Sequence, residues 1–436
     1  MKPSPEVVLA VDFSLDRLDV ALSDSQQEWL WPHRAYPNNW PGFQALKQDL
    51  LTELGEQGAV HLTATGESTG PYWWHLFYHL SHDQELAFYE PELALLNPAQ
   101  VKRFRRALSE QDKTDLDDPH LIELYYRAVG VKHLYQFNLR YLPLRFLSRA
   151  YARLIHTLTA EKAYFQAILY LLTSEYPRLK PFSNLFGVTS LQLLEDCPDF
   201  QTIAAIPPDT LADQLQAVAK GTLPDPDHNA HKLHQVAADT YPVPPVLAAS
   251  LHLILQQTLA HIRFLTDNQK AYQLLIKQEL GRLPEAQLAL EHPGLGPILV
   301  AGFLSEIQDT HRFITGLKFD HKIKDYRPRN YDDGQAGVAK LAGLWWPKHD
   351  SGRFQAKSRH LARERNPYLR FWFVQAAYTL TRHDPDYTAY YQRKYSESSH
   401  HHHQRALVLT ARKAVRMVFA LLYKGQRACL EEAAST

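Results

Sequence analysis

A chain of 436 residues with 45% hydrophobic and 11% aromatic residues can bury several cores, which excludes a disordered chain. Formal net charge is zero, so the chain as a whole is no generic polyanion binder, yet Ser351 to Arg427 holds 15 Lys or Arg against 4 Asp or Glu, a local excess of +11. Cys197 and Cys429 offer neither a disulfide framework nor a CxxC metal site, no apolar run approaches the ~18 residues of a membrane span, and "MKPSPEVVLAVDF" lacks a signal-peptide pattern, so a cytoplasmic protein is expected.

Strands and helices alternate through residues 1–132. "EVVLAVDFS" and "RLDVALSD" predict a strand pair, "EWLWPHRAYPN" a third strand, and "PGFQALKQDLLTELGEQG" an amphipathic helix ending at glycine. A strand "AVHLTATGES", a helix from Pro71, a strand "ELAFYEP", and helices around "AQVKRFRRALSE" and "DDPHLIELYYRAVG" follow. Three leading strands and then αβαβα is the order of an α/β RNase H-like domain.

Residues 133–285 read as almost wholly helical. Two long apolar-periodic stretches flank a Pro- and Asp-rich loop at "GTLPDPDHNAH" and predict an antiparallel hairpin or coiled coil serving dimerisation, or alternatively a plain bundle. Residues 286–436 form the third, mainly α segment. It opens with "EHPGLGPILVAGFLSEI", in which Gly294 and Gly296 suggest either a helix-hairpin-helix-like element or a simple turn. An irregular charged stretch (319–340), "LAGLWWPKHDSGRF" and basic helices complete it. The run His400–His403 reads as a solvated loop and receives no role.

The stretch "QDKTDLDD" packs four carboxylates, Asp112, Asp115, Asp117 and Asp118, into seven residues. On a helix Asp112, Asp115 and Asp118 crowd one face, which requires a neutralising cation unless the segment is simply an acidic, solvated helix start. Asp12 follows the apolar run "VVLAV", where a carboxylate is costly unless used or paired, and Glu67 ends the fourth predicted strand. Asp12, Glu67, Asp115 and Asp118 together have the oxygen chemistry to hold two Mg2+ ions for phosphoryl transfer. The basic knot "VKRFRR", with Lys102, Arg103, Arg105 and Arg106, directly precedes the acidic cluster and suits a phosphate backbone.

Two serines compete as nucleophiles. "GESTG" fits the G-x-S-x-G elbow and would make Ser68 that of an α/β-hydrolase, but no oxyanion segment precedes it and the aspartates would go unexplained. Ser351, in "HDSGRF", is followed by Arg353, Lys357, Arg359, Arg363 and Arg365, guanidinium and ammonium groups able to steady charge as a serine attacks a phosphodiester. A Ser-Gly helix cap is the plainer alternative.

"AVDFSLDRLDVAL", "ATGESTGPYWWHL", "NPAQVKRF" and "DKTDLDDPHLI", followed by "HPGLGPILVAGFLSEIQDTHRF", "LAGLWWPKHDSGRF", "RERNPYLRFWFVQAAYTLTRHDPDYTAYYQRK" and "ALVLTARKAVRMVFALL", together resemble the insertion sequence 110 family of DEDD transposases. These are bridge-RNA-guided recombinases related to Piv-type DNA invertases. The resemblance spans nearly the whole chain. It implies a RuvC-like domain with its D, E, D, D residues on Asp12, Glu67, Asp115 and Asp118, and a C-terminal transposase domain with its nucleophile on Ser351. It further implies a phosphoserine link to DNA, Mg2+, a structured guide RNA that pairs with donor and target DNA, and assembly as a dimer or tetramer. An invertase or a metal-dependent junction nuclease on the same scaffold is the nearest other reading.

Overall fold

The computed structural model describes residues 5–58, 60–108, 117–131, 134–196, 200–320, 322–347, 350–351, 354–355, 360–362 and 365–435. Its contacts divide the chain into two compact units, Met1–Asn138 and Leu139–Thr436.

In the first unit, strands β1 (Glu6–Phe13), β2 (Arg17–Ser23) and β3 (Trp29–Pro37) precede helix α1 (Trp40–Gln57), strand β4 (His61–Glu67), helix α2 (Trp74–His82), strand β5 (Glu92–Leu96), and helices α3 (Pro98–Ala107) and α4 (Asp117–Val129). The sheet order is β3-β2-β1-β4-β5. β1 pairs antiparallel with β2 and β2 with β3, whereas β1, β4 and β5 run parallel. The succession of strands and helices along the chain is the one expected from the sequence for an RNase H-like domain. One face of the sheet, with Leu9, Val11 and Phe13, packs on Phe43, Leu46 and Leu50 of α1 and Phe77 of α2. On the other face Ala10 and Leu96 pack with Val101 of α3 and Leu121, Ile122 and Tyr125 of α4.

One strand differs from expectation. "ELAFYEP" is not β5: Leu86–Tyr89 form a single 3-10 turn, and the strand is the next segment, Glu92–Leu96. Asp83 decides this locally, because its Oδ1 accepts from the amides of Glu85 (3.0 Å) and Leu86 (3.2 Å) and so coils the chain.

The second unit begins with two long helices, α5 (Leu142–Leu172) and α11 (Pro245–Leu280), with α6 (Tyr176–Leu179), α7 (Val188–Asp196), α8 (Phe200–Ala205), α9 (Pro208–Val218) and α10 (Pro226–Asp239) between them. The long pair is antiparallel: Tyr151 Oη accepts from Gln269 and Gln273, while Glu161 meets His261. The far ends of these helices share a core with α7 to α10 built on Phe165, Leu194, Ile203 and Leu233. The expected loop at "PDPDHNAH" is instead the start of α10, because Asp225 accepts from the His228 amide and Pro226 occupies the first helical position.

The near ends of α5 and α11 belong to a second core with α12 (Gln287–Leu290), α13 (Pro297–Ile307), α14 (Tyr331–Leu341), α15 (Pro367–His383), α16 (Pro385–Ser396) and α17 (His402–Ser435). Between α13 and α15 in sequence lie two small antiparallel pairs, β6 (Leu317–Asp320) with β7 (Asp325–Pro328), and β8 (Asp350–Ser351) with β9 (Phe354–Gln355). Stretch 319–340 is thus a hairpin and a helix rather than irregular. Arg327 joins them by donating to Asp320 (2.9 Å) and Asp333 (2.7 Å), and Asp333 completes a capping box with Asn330. His402 and His403 open α17 and meet the Tyr395 carbonyl and the Tyr391 hydroxyl of α16. No helix among the described residues is long and apolar enough to cross a membrane.

Candidate active site

Because β1, β3, β4 and β5 point the same way, their C-terminal ends share one edge of the sheet. Asp12 is the penultimate residue of β1 and Glu67 the last of β4. Alternation along each strand puts both on the same face. Asp12 lies in phase with Glu6 and Ala10, and Glu67 with Thr63. That face is the one covered by α4: Tyr126 Oη and Thr63 Oγ1 both donate to Glu6 Oε1, at 2.9 and 2.8 Å.

The direction of α4 brings its first turn to the carboxylate edge. Its C-terminal half reaches the opposite edge, where Glu123 Oε1 accepts from Ser23 Oγ at 2.8 Å and Arg127 donates to the Asp24 carbonyl at 2.7 Å. Asp118, buried at 5% exposure, therefore sits in the α4 turn nearest the ends of β1 and β4. Its partner is Arg105 of α3, whose Nη2 donates to Asp118 Oδ1. Arg105 was grouped from the sequence with the phosphate-binding cations; in this structure it faces a carboxylate, while Lys102, Arg103 and Arg106 are exposed along α3.

Asp112 and Asp115 lie outside the described residues, as do Arg353, Lys357, Arg359 and Arg363. Among the described residues no group of three or more His, Cys, Asp or Glu stands close enough to hold a metal. The chemistry of Asp12, Glu67 and Asp118 nonetheless fits a hard cation: three carboxylates, on one face at one edge, with no sulfur or imidazole among them. Gly66, just before Glu67, is required by close packing, since a Cβ there would fall 2.4 Å from the Phe13 ring and 2.7 Å from the Val11 carbonyl oxygen. The approach of β1 to β4 at the carboxylates depends on that missing methyl.

Ser68 does not have the geometry of an elbow nucleophile. It is absent from the positive-φ residues, and its hydroxyl donates to the Leu96 carbonyl at 3.1 Å rather than to a histidine.

In the second unit, Ser351 lies in β8, its backbone in register with Phe354 of β9. Gly294 has φ +86°, a Cβ there would crowd Leu380 and His383 of α15, and Thr379 Oγ1 donates to its carbonyl at 2.8 Å. Its hairpin follows only the one-turn α12, so here it joins α13 to α15.

A residue that the sequence reading passed over organises this unit. Glu306 is buried on α13 and accepts from Arg149 Nε (2.6 Å) and Nη2 (2.9 Å) and from Asn366 Nδ2 (2.7 Å). Burial pushes the carboxyl pKa up, but the Arg149 hydrogen bonds and the charges of Arg145 and Arg149 outweigh this and leave it below the ordinary value. Asn366 Oδ1 in turn caps α15 by accepting from the Leu369 amide at 3.0 Å. The signal was present in "VAGFLSEI", a charge in an otherwise apolar helix.

Comparison with known families gives two matches. A family model described as "Transposase", of the DEDD class, matches residues 9–173, and a second, described as "Transposase IS116/IS110/IS902 family", matches residues 328–392. Together they take in more than half of the chain. No curated relative matches it. Asp12, Glu67 and Asp118 fall within the first match and Ser351 within the second.

Proposed function

The chain belongs to the insertion sequence 110 family of transposases, enzymes that cut and rejoin DNA, and from that premise we propose that it does so with Ser351 as nucleophile and a Mg2+-dependent carboxylate site. What supports the metal reading is the arrangement of the first unit: Asp12 and Glu67 on one face at one sheet edge, and Asp118 in the turn of α4 that faces it. Asp12, Glu67, Asp115 and Asp118 would hold two Mg2+ ions. When bound, Mg2+ stabilises charge on the attacking and leaving oxygens of a phosphodiester.

The serine step balances without an external cofactor. Ser351 Oγ forms a bond to phosphorus, the bond from phosphorus to the sugar oxygen breaks, and the serine proton passes, through solvent, to the departing sugar hydroxyl. A hydroxyl from the second DNA reverses the exchange, so the ester energy is conserved. Arg353, Lys357, Arg359 and Arg363 steady the phosphate, and the exposed Lys102, Arg103 and Arg106 hold backbone near the carboxylates, while Arg105 pairs with Asp118. We assign residues 1–132 to the carboxylate chemistry, 133–285 to assembly as a dimer or tetramer, and 286–436 to the serine. A structured guide RNA supplies sequence recognition by base pairing.

The test is a recombination assay with the element ends and target DNA, with adducts resolved on a denaturing gel. Ser351→Ala is expected to abolish the adduct, and Asp12→Ala to abolish recombination while leaving the far-UV circular dichroism unchanged. Sequencing of the RNA that copurifies should return one discrete structured species. An adduct that survives in Ser351→Ala removes the serine from the role. Metal-dependent cleavage without any adduct, and without RNA, identifies a junction nuclease.

A further inference from the structure

The first unit carries a second feature at the carboxylate edge. A pocket of about 200 Å³ opens between the start of α1 and α2, lined by Asn38, Asn39, Trp40, Phe43, His75 and His79 among others. It is smaller than the several hundred cubic ångströms usual for a drug-sized ligand. Trp40 is 57% exposed, an uncommon setting for so large an apolar ring. The indole is braced nonetheless: Phe43 lies 5.5 Å away and the His79 ring meets it edge-on at 5.0 Å.

The polar lining has hydrogen-bonding capacity left over. Asn38 spends its Nδ2 on the carbonyls of Ser14 (2.8 Å) and Tyr72 (3.2 Å), and Asn39 spends its Oδ1 on the Gly42 amide (2.9 Å). None of the described contacts uses Asn38 Oδ1 or Asn39 Nδ2, an acceptor and a donor on consecutive residues. Among the described residues no Lys, Arg, Asp or Glu lines the pocket, which argues against a phosphate or cation site. Burial, and then the neighbouring His75, hold His79 below its ordinary pKa, which favours its neutral ring. A flat aromatic group bearing both donors and acceptors, and no charge, is the ligand this lining fits.

Position selects the source. Asn38 follows the last residue of β3, at the sheet edge that holds Asp12 and Glu67, and its side chain grips Ser14, two residues beyond Asp12. We propose that this pocket takes one unstacked nucleobase of the strand that crosses the carboxylate edge, stacked on Trp40 and read by Asn38 and Asn39. Seating that base fixes which phosphate lies over Asp12 and Glu67. The inference rests on the proposed metal site at that edge only for this positional consequence, and base binding is testable without metal.

The experiment uses the full-length protein in EDTA, with fluorescein-labelled single-stranded DNA, single-stranded RNA and duplex DNA as probes. Trp40→Ala is expected to weaken single-strand binding by about tenfold to a hundredfold and to leave duplex binding unchanged. Trp40→Phe should recover most of the affinity, and Asn39→Asp, which keeps a helix cap but loses the donor, should weaken it without altering the melting temperature. Loss confined to the DNA strand identifies the substrate as the source of the base, loss confined to RNA identifies the guide, and loss of both means that the pocket takes either. Wild-type single-strand affinity in Trp40→Ala, or an equal loss on duplex, overturns the proposal. The metal-site reading is judged separately by Asp12→Ala recombination, so either idea can fail alone.

Discussion

Replacing Glu306 by Gln tests whether the second unit is organised by one buried charge. The side chain is 0% exposed, and its two oxygens receive three hydrogen bonds of 2.6 to 2.9 Å from Arg149 and Asn366. An amide keeps one acceptor but removes the charge that offsets Arg149 and Arg145. Breaking a fully buried pair costs about 3–5 kcal/mol, and because Arg149 is 34% exposed and regains water, about 2–3 kcal/mol is expected here. The pH dependence has a definite sign. The folded pKa of Glu306 is depressed, so its contribution is present above the unfolded glutamate value and is lost as pH falls through the folded one. Urea unfolding of wild type and Glu306→Gln at pH 7 should therefore differ by that amount, and the gap should begin to narrow as pH falls below about 4 and close once the folded carboxyl is protonated. A difference under about 1 kcal/mol at pH 7, or a gap that does not change with pH, refutes the reasoning.

Asn366→Ala removes a cap worth about 1 kcal/mol and one of the Glu306 hydrogen bonds, so a loss of about 2 kcal/mol is expected in the same unfolding measurement. Gly302→Ala should cost about 1–3 kcal/mol by thermal melting, since its Cβ would lie 2.3 Å from the Trp372 ring in the core. Arg105→Ala removes a cation that competes for Asp118, so the Mg2+ concentration giving half-maximal cleavage should fall; a rise would mean that Arg105 orients the carboxylate. Chelation with EDTA should stop recombination, and added Mg2+ should restore it, while guide RNA binding measured by gel shift persists.

The amino-acid sequence by itself determined the succession of strands and helices in the first unit and the presence of carboxylates at strand ends. "EVVLAVDF" and "HLTATGE" are apolar runs of strand length that end in an acid, and such local patterns survive whatever surrounds them. Family membership was legible too, because it rests on the order of several short motifs along the chain.

Tertiary structure decided the rest. Glu85-Leu86-Ala87 and Glu92-Leu93-Ala94 open alike, yet the first coils on Asp83 and the second pairs with β4, a choice that depends on which segment the sheet edge can reach. The start of α10 was hidden because Pro and Asp signal a turn and a helix start equally well until a packed neighbour is present. Arg105 belongs to a basic run in sequence and to Asp118 in space, and Trp40 becomes the wall of a pocket only when α2 brings His75 and His79 beside it. Periodicity and capping act within a few residues, so the sequence exposes them directly. Ion pairs, pockets and strand partners join residues brought together by folding, and only the packed chain selects among their alternatives.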